Sequence, residues 1–458
     1  MQQRGVRSVQ ASHYGNPVSY TPEDRAAFAF DADPLTAWRV GAFGDPVGER
    51  LRIELAHPVT LDHLTVLQPV NGPRNRYVTR ATLTFDGGRP LSVALGPESR
   101  ELPGQEVRFP RRTFSTVEYR VDATNVGTRA SYIGYSAVGL AELRVGDERV
   151  DEVVRLPRDL PVDAGRALTV LLTRARSDPV PPRTDEEPAM TRLLTLPVAR
   201  TFSVAGTARL SASVPDDVVD SVLGEHGLVV RASAHLPGDL QARASAALDG
   251  DPTTAWVTNL GPQEGQWLEL DPPQPITVDR LDLRIVADGR HSVPTLLRLE
   301  NERGETRVVP VPRVVDRPQE DASSAAPVRF VPLTGTHIRV TVAAVREVRA
   351  KDYYSEQPIA LPVGIAELGV AGARATPPTG ALPGGCRADL LTVDGAPVPI
   401  VVAGDAALAD DRGALTVAGC GPPLTLGPGD HVVRTRPGRD TGIDLDRLVL
   451  SSPGRAPA

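Results

Sequence analysis

The chain has 458 residues, of which 41% are hydrophobic and 23% charged, with a formal net charge of −7. That length exceeds what one hydrophobic core accommodates and points to about three domains, while the ordinary apolar content means that most of the chain folds. An acidic chain in which Lys351 is the only lysine and no basic face is clustered argues against nucleic acid and anionic membrane surfaces as main partners.

The 44 prolines and 41 glycines help break short valine-rich runs at intervals of roughly 8 to 12 residues, the habit of β-sandwiches. An all-β fold with very little helix is therefore expected. Segment 10–147 opens with polar Gln10 to Tyr20 and reaches Ala29-Phe30-Asp31-Ala32-Asp33-Pro34-Leu35-Thr36-Ala37-Trp38. Arg50 to Leu55 alternates polar and apolar residues as a half-buried strand does, and Pro58 to Val66 reads as a second strand. A polar and aromatic loop, Gln68 to Tyr77, precedes the strand Ala81 to Phe85, which runs into the hairpin signal Asp86-Gly87-Gly88. Strands near Val107 and Tyr119 follow, and Val138 to Val145 closes the segment.

Segment 148–226 is a β-rich spacer with strand-like runs Leu168 to Leu172 and Leu193 to Leu210, a proline- and acid-rich loop from Ser177 to Pro188, and a short helix over Asp216 to Leu223. Segment 227–372 then repeats the first. Ala247-Leu248-Asp249-Gly250-Asp251-Pro252-Thr253-Thr254-Ala255-Trp256 keeps both aspartates, the proline, the threonine and the Ala-Trp ending. Pro275 to Leu281 matches Pro58 to Leu64, and Val363 to Val370 nearly repeats the closing strand. A shared start, middle and end mark a duplicated domain and not a short solenoid unit. Segment 373–385 is a Pro/Gly/Ala linker, and 386–452 is a compact set of strands. Segments 148–226 and 386–452 are each short for a free-standing sandwich, so they are expected to pair into one discontinuous β domain around the second repeat.

Cys386 and Cys420 are the two cysteines. Paired, they would close a loop worth roughly 3 to 4 kcal/mol and place this part of the protein outside the cytoplasm. The alternative is two buried thiols; no other Cys or His completes a metal ligand set. The polar start Met1 to Arg7 carries no apolar signal region, and nowhere do about eighteen apolar residues run together. The two ends of this reasoning agree if the chain is an internal piece of a longer exported or membrane protein.

The repeated motif offers only oxygen ligands: a carboxylate at Asp249, a carbonyl at Asp251, hydroxyl and carbonyl at Thr254, and a glutamate arriving with the closing strand. Such a set suits a hard cation, and Ca²⁺ better than Mg²⁺. The competing reading is an aspartate-capped turn beside a solvated glutamate.

These residues resemble the discoidin, or coagulation factor 5/8 type C, domains, including family 32 carbohydrate-binding modules. The resemblance covers about 15–146 and 229–371. It implies two β-jelly-roll sandwiches, each with a structural calcium, plus the additional β-sandwich region. Carried over by position, the ligands are Asp249, Asp251, Thr254, Ala366, Glu367 and the carbonyl of Ala246 in the second copy. In the first they are Asp31, Asp33, Thr36, Ala141, Glu142 and Phe28, with Ala32 in place of glycine. Trp38 and Trp256 are then core residues. The whole arrangement, with its Cys386…Cys420 segment, resembles the extracytoplasmic region of actinobacterial α-(1→3)-arabinofuranosyltransferases, whose catalytic part lies in a membrane domain that nothing here matches.

Loops at one end of such sandwiches bind sugars through aromatic faces and polar side chains. The candidates are Asn71, Arg74, Asn75, Arg76 and Tyr77 in the first copy, and Asn259, Arg290, His291, Tyr353 and Tyr354 in the second. No phosphate loop, His-Glu-x-x-His or nucleophile elbow occurs. The reading is a non-catalytic, carbohydrate-binding portion of a membrane arabinofuranosyltransferase, located in the cell envelope and facing an arabinan-type polysaccharide. The alternatives are a protein-docking scaffold with degenerate discoidin copies and an accessory region of a secreted glycoside hydrolase.

Overall fold

A computed structural model describes residues 1–72, 74–163, 165–175, 187–212, 214–224, 227–352, 357–376 and 379–453. Three hydrophobic cores account for nearly all the buried apolar side chains, one for each discoidin-like module and one for a β domain between them.

In the first module, Val6–Ala11, Arg50–Leu67, Gln105–Thr124, Val78–Phe85 and Leu91–Ala94 form one antiparallel sheet. Arg50–Leu67 is a single long strand where two were expected. Its pairing with Gln105–Thr124 shifts register between Glu54 and Val59, and such an irregularity bends a strand so that it serves both layers of a sandwich. Its far end pairs with Glu142–Arg144, which sets the closing strand beside it. The hairpin at Asp86 forms with Asp86 and Gly87 both at positive φ, 48° and 66°, the pair that two-residue turns demand.

The second module repeats this plan with Val229–Ala232, Trp267–Asp271, Ile338–Arg346, Val293–Asn301 and Thr306–Pro310 in one sheet. Trp256–Val257, Gly364–Glu367, Arg284–Val286 and Ser323–Ala325 form another. Trp38 and Trp256 are fully buried, and each indole N–H donates to a backbone carbonyl, of His13 and Ala234 respectively. They are core anchors.

The third β domain draws its strands from distant parts of the chain. One sheet runs Gln2–Arg4, Asp151–Arg155, Thr191–Leu196, Gly429–Thr435, Leu391–Val393 and Ala396–Pro397. The other runs Leu168–Thr173, Ile443–Ser452, Arg200–Leu210, Leu415–Gly419 and Ile400–Ala403. Apart from Val153 and Leu193, the buried apolar residues of these strands share one core. The strand Gln2–Arg4 has no counterpart in the sequence reading, since three residues carry no periodicity to detect. The helix Asp216–Leu223 is present and ends at Gly224 in the left-handed conformation. Segment 373–385 is less a linker than a seam, because Ala373 and Ala375 sit in the core of the second module and Leu382 in that of the central domain. Cys386 and Cys420 are joined as a disulfide with their Cα atoms 6.0 Å apart.

This architecture makes a truncation test sharp. Removing 386–458 takes seven strands out of the two central sheets, Leu424–Leu426 beside Arg200–Leu210 among them, and limited proteolysis should then digest the central region while both discoidin-like modules resist. Release of 386–458 from the intact chain as a stable fragment would contradict the shared core.

Candidate functional site

Both copies of the motif fold into the same oxygen-lined turn. In the second, Thr254 Oγ1 lies 2.7 Å from Asp249 Oδ2, 2.9 Å from the Asp251 carbonyl and 3.5 Å from the Ala246 carbonyl. The Asp251 N–H donates to Asp249 Oδ1 at 2.8 Å, and Gly250, at φ 78°, makes the turn possible. Glu367 comes from the closing strand Gly364–Glu367, and its Oε1 is buried without a donor. Burial raises the pKa values of Asp249 and Glu367 above the usual carboxylate range, with repulsion from Asp251 adding to the first and repulsion from Asp249 to the second.

The first copy is tighter. Thr36 Oγ1 reaches Asp31 Oδ1 and Oδ2 at 3.0 and 2.9 Å and the Asp33 carbonyl at 3.0 Å. Ala32 holds φ 67° where the second copy has glycine, so the turn is kept at a cost of roughly 1 kcal/mol. Asp31 and Glu142 face each other across the turn. Burial comes first in both, with repulsion from Asp33 added at Asp31 and repulsion from Asp31 added at Glu142, and pushes them up to about 7 and about 8. Glu142 Oε1, like Glu367 Oε1, is buried without a donor. Two buried carboxylates, a hydroxyl and carbonyls around one point are what a Ca²⁺-sized cation takes, and the two undonated oxygens are what such an ion would satisfy. Ala141 and Ala366 are buried beside these glutamates.

Each turn also abuts the central domain. Arg439 Nη2 donates to Asp33 Oδ2. Beside the second turn, Arg243 bridges Asp220 and Asp410, Gln241 donates to Asp410 at 3.0 Å, and Arg374 donates to the Asp249 carbonyl.

The loop candidates separate into fold residues and open ones. Arg76 is a correction to the sequence reading. It is buried at 2% exposure, and its guanidinium donates to the carbonyls of Ser136, Gly44 and Gly41, so it pins loops together and is committed to the fold even where it borders a cavity. Asn75 is likewise spent on Gly134 and Ser136, and Asn71 on Leu35 and Arg39. Arg74 and Tyr77 line a cavity of about 420 Å³ together with Arg100 and Glu101. Sequence reasoning missed the last two because they lie in a separate turn, Pro97–Arg100 and beyond, that only the fold brings alongside.

In the second module, His291 lines a cleft of about 550 Å³ whose walls include Asp321, Gln241, Thr253, Leu236 and Val257. Asp288 Oδ1 lies 3.0 Å from His291 Nδ1 and orients the ring. Asp288, His291 and Asp321 bring one ligand atom each within 4.8 Å of one another, a spacing that could also hold a metal ion. Arg290 is exposed and paired with Glu320 at 2.9 Å, and Asn259 is half-buried outside the cleft. Tyr353 and Tyr354 lie outside the described residues. Asp321, which lines the cleft, and Asp288, which holds the His291 ring, were not found by sequence reasoning, since neither belongs to the repeated motif.

Residues 226–381 match the family model of the third carbohydrate-binding module of arabinofuranosyltransferase D. An α-(1→3)-arabinofuranosyltransferase of Mycolicibacterium smegmatis (strain ATCC 700084 / mc(2)155) is 28% identical over 323 residues, covering 64% of this chain and 22% of the relative. The cryo-EM structure of arabinofuranosyltransferase AftD from Mycobacteria superposes with TM-score 0.72 at 20% identity, over 100% of this chain and 36% of that one. Its R1389S mutant, class 1, gives 0.70 at 20% identity, over 100% of this chain and 37% of that one. The chain thus spans about a fifth of the curated relative it matches. Its fold is that of the part of arabinofuranosyltransferase AftD on which it superposes, and its residues 226–381 are similar to the third carbohydrate-binding module of that enzyme.

Proposed function

We propose that this chain is a non-catalytic, glycan-holding portion of a membrane arabinofuranosyltransferase of cell-envelope arabinan synthesis, with catalysis and membrane anchorage belonging to parts of the enzyme outside it. The observation that carries the reading is the match of residues 226–381 to a carbohydrate-binding module of such an enzyme. No helix of the described residues is long and apolar enough to cross a membrane. The Cys386–Cys420 disulfide supports an extracytoplasmic position. The two oxygen-lined turns hold structural calcium in this reading, with Asp249, Asp251, Thr254, Ala246, Ala366 and Glu367 around one ion and their counterparts Asp31, Asp33, Thr36, Ala141, Glu142 and Phe28 around the other.

The arabinan-type glycan occupies the cleft of the second module. Its walls pair apolar Leu236 and Val257 with the hydrogen-bonding groups of His291, Gln241 and Asp321, the mixture that a neutral sugar with an apolar face and a hydroxyl rim requires. Isothermal titration of the whole chain with arabinan oligosaccharides should show binding, weakened about tenfold, or about 1.4 kcal/mol, by His291→Ala. The melting temperature of the variant serves as the folding control. Failure to bind either arabinan or arabinogalactan fragments would remove this reading.

A further inference from the structure

The cavity of the first module differs in chemistry from the cleft of the second. It opens where the loop carrying Arg74 and Tyr77 meets Arg100 and Glu101, and encloses about 420 Å³. Arg76 and Gln68 also line it, but both are committed to the fold: Arg76 through its three carbonyls, Gln68 through Val78 and Ser99. The chemistry left available is that of Arg74, Arg100, Tyr77 and Glu101.

The two arginines set the character of the cavity. The Arg100 guanidinium lies over the Tyr77 ring, 4.0 Å from its centroid, which fixes its plane. Its Nε is buried and lacks an acceptor. Among the described residues, neither Arg74 nor Arg100 has a side-chain hydrogen bond or ion pair. Many of the other arginines are tied down, Arg174 to Asp444 and Asp446, Arg346 to Asp316 and Arg209 to Asp446. Two cations sharing a small cavity repel one another, and neutral hydroxyls do not cancel that repulsion; an anion does, through charge-assisted bonds roughly twice as strong as neutral ones. The planar fork of arginine matches phosphate and carboxylate oxygens in particular.

Glu101 decides what carries the anion. Its exposed carboxylate lines the same cavity, so a bare phosphate ion would meet repulsion there with nothing in return. A saccharide ring would offer Glu101 a hydroxyl donor while its charged substituent lies between the arginines.

We propose that the first module binds an anionic saccharide, its phosphate or carboxylate held between the guanidinium groups of Arg74 and Arg100. This rests on the first module being, like its duplicate, a carbohydrate-binding module, and is independent of the arabinan reading of the second. The test is isothermal titration of the whole chain, at low and high salt, with four probes: ribose 5-phosphate and galacturonate, and their neutral counterparts ribose and galactose. Inorganic phosphate is the fifth titrant. At least one charged sugar should bind about tenfold or more tightly than its neutral counterpart, with the advantage shrinking at high salt; which of the two does so tells phosphate from carboxylate.

Arg74→Gln and Arg100→Gln should each remove about tenfold of that affinity. Arg100→Lys, which keeps the charge, should retain part of it, and melting temperatures verify folding. Charged and neutral sugars binding alike would overturn the proposal, as would inorganic phosphate binding as well as the charged sugars, or affinity unmoved in folded Arg74→Gln and Arg100→Gln. Should arabinan bind in the same instrument while the charged sugars do not, the anionic site fails and the arabinan reading stands. The reverse result upholds the anionic site and removes the arabinan reading.

Discussion

Chelating calcium should lower the melting temperature of the two discoidin-like modules, and by more at pH 8 than at pH 5. The reason lies in Asp31 and Glu142, pushed up to about 7 and about 8 by burial and by the neighbouring charges of Asp33 and Asp31 respectively. Their folded pKa values lie above the unfolded ones, so without a cation the folded module binds more protons than the unfolded chain. Its stability is then fully present below the ordinary carboxylate range near pH 4 and is lost as pH rises through about 7 and 8. Calcium bound there would take the ionised carboxylates and reverse the trend, because its binding would strengthen as the same protons leave. At a hundredfold excess over its dissociation constant, the ion contributes about 2.7 kcal/mol, roughly 5 to 10 °C for a module of this size. Calorimetry with and without chelator at the two pH values measures it. A melting temperature at pH 8 that chelator does not move would eliminate the calcium assignment.

Arg76→Ala should be among the most damaging single substitutions in the first module. It would strip the donors from the Ser136, Gly44 and Gly41 carbonyls and leave a void where a fully buried side chain stood. With about 1 to 3 kcal/mol for each buried group left unsatisfied, and partial relief from entering water, the net cost is roughly 3 to 5 kcal/mol. Arg76→Lys should recover less than half of that, because an ammonium cannot reproduce the guanidinium fork. Arg74→Ala, exposed in the same loop, should stay within about 0.5 kcal/mol. Thermal unfolding of the three variants decides the matter; an Arg76→Ala protein melting within about 2 °C of the parent would show that the three carbonyls find other donors at little cost.

The contrast between Arg74 and Arg76 shows where the sequence was legible. Repetition could be read directly, since Asp249 to Trp256 and Asp31 to Trp38 agree at six of eight positions, and with it came the doubled sandwich, the buried tryptophans and the distant glutamate. Period-2 alternation gave the strands, although it could not tell that Arg50–Leu67 is continuous, because a bulge interrupts alternation without ending a strand. Loop composition gave the neighbourhood of the first cavity and not the direction of its side chains. Two arginines two positions apart look alike in sequence, yet one is spent on backbone carbonyls and the other is left open. Arg100, Glu101 and Asp321 were out of reach for another reason: each enters its site from a turn whose place beside the loop is decided by sheet pairing over tens of residues.

The central β domain takes strands from Gln2–Arg4, from 151–210 and from 391–452, with the second module lying between the last two groups. A ribosome delivers these parts in order, and domains generally fold as units as they emerge. Both discoidin-like modules can therefore complete their cores while the central sheets still wait for Ile443–Ser452, which pairs with Leu168–Thr173 and Arg200–Leu210 on either side. Of the central strands, Ile443–Ser452 is made last, and it closes the sheet between Leu168–Thr173 and Arg200–Leu210. Until it arrives, the open edges of Leu168–Thr173 and Arg200–Leu210 are the part of the nascent protein most exposed to mispairing.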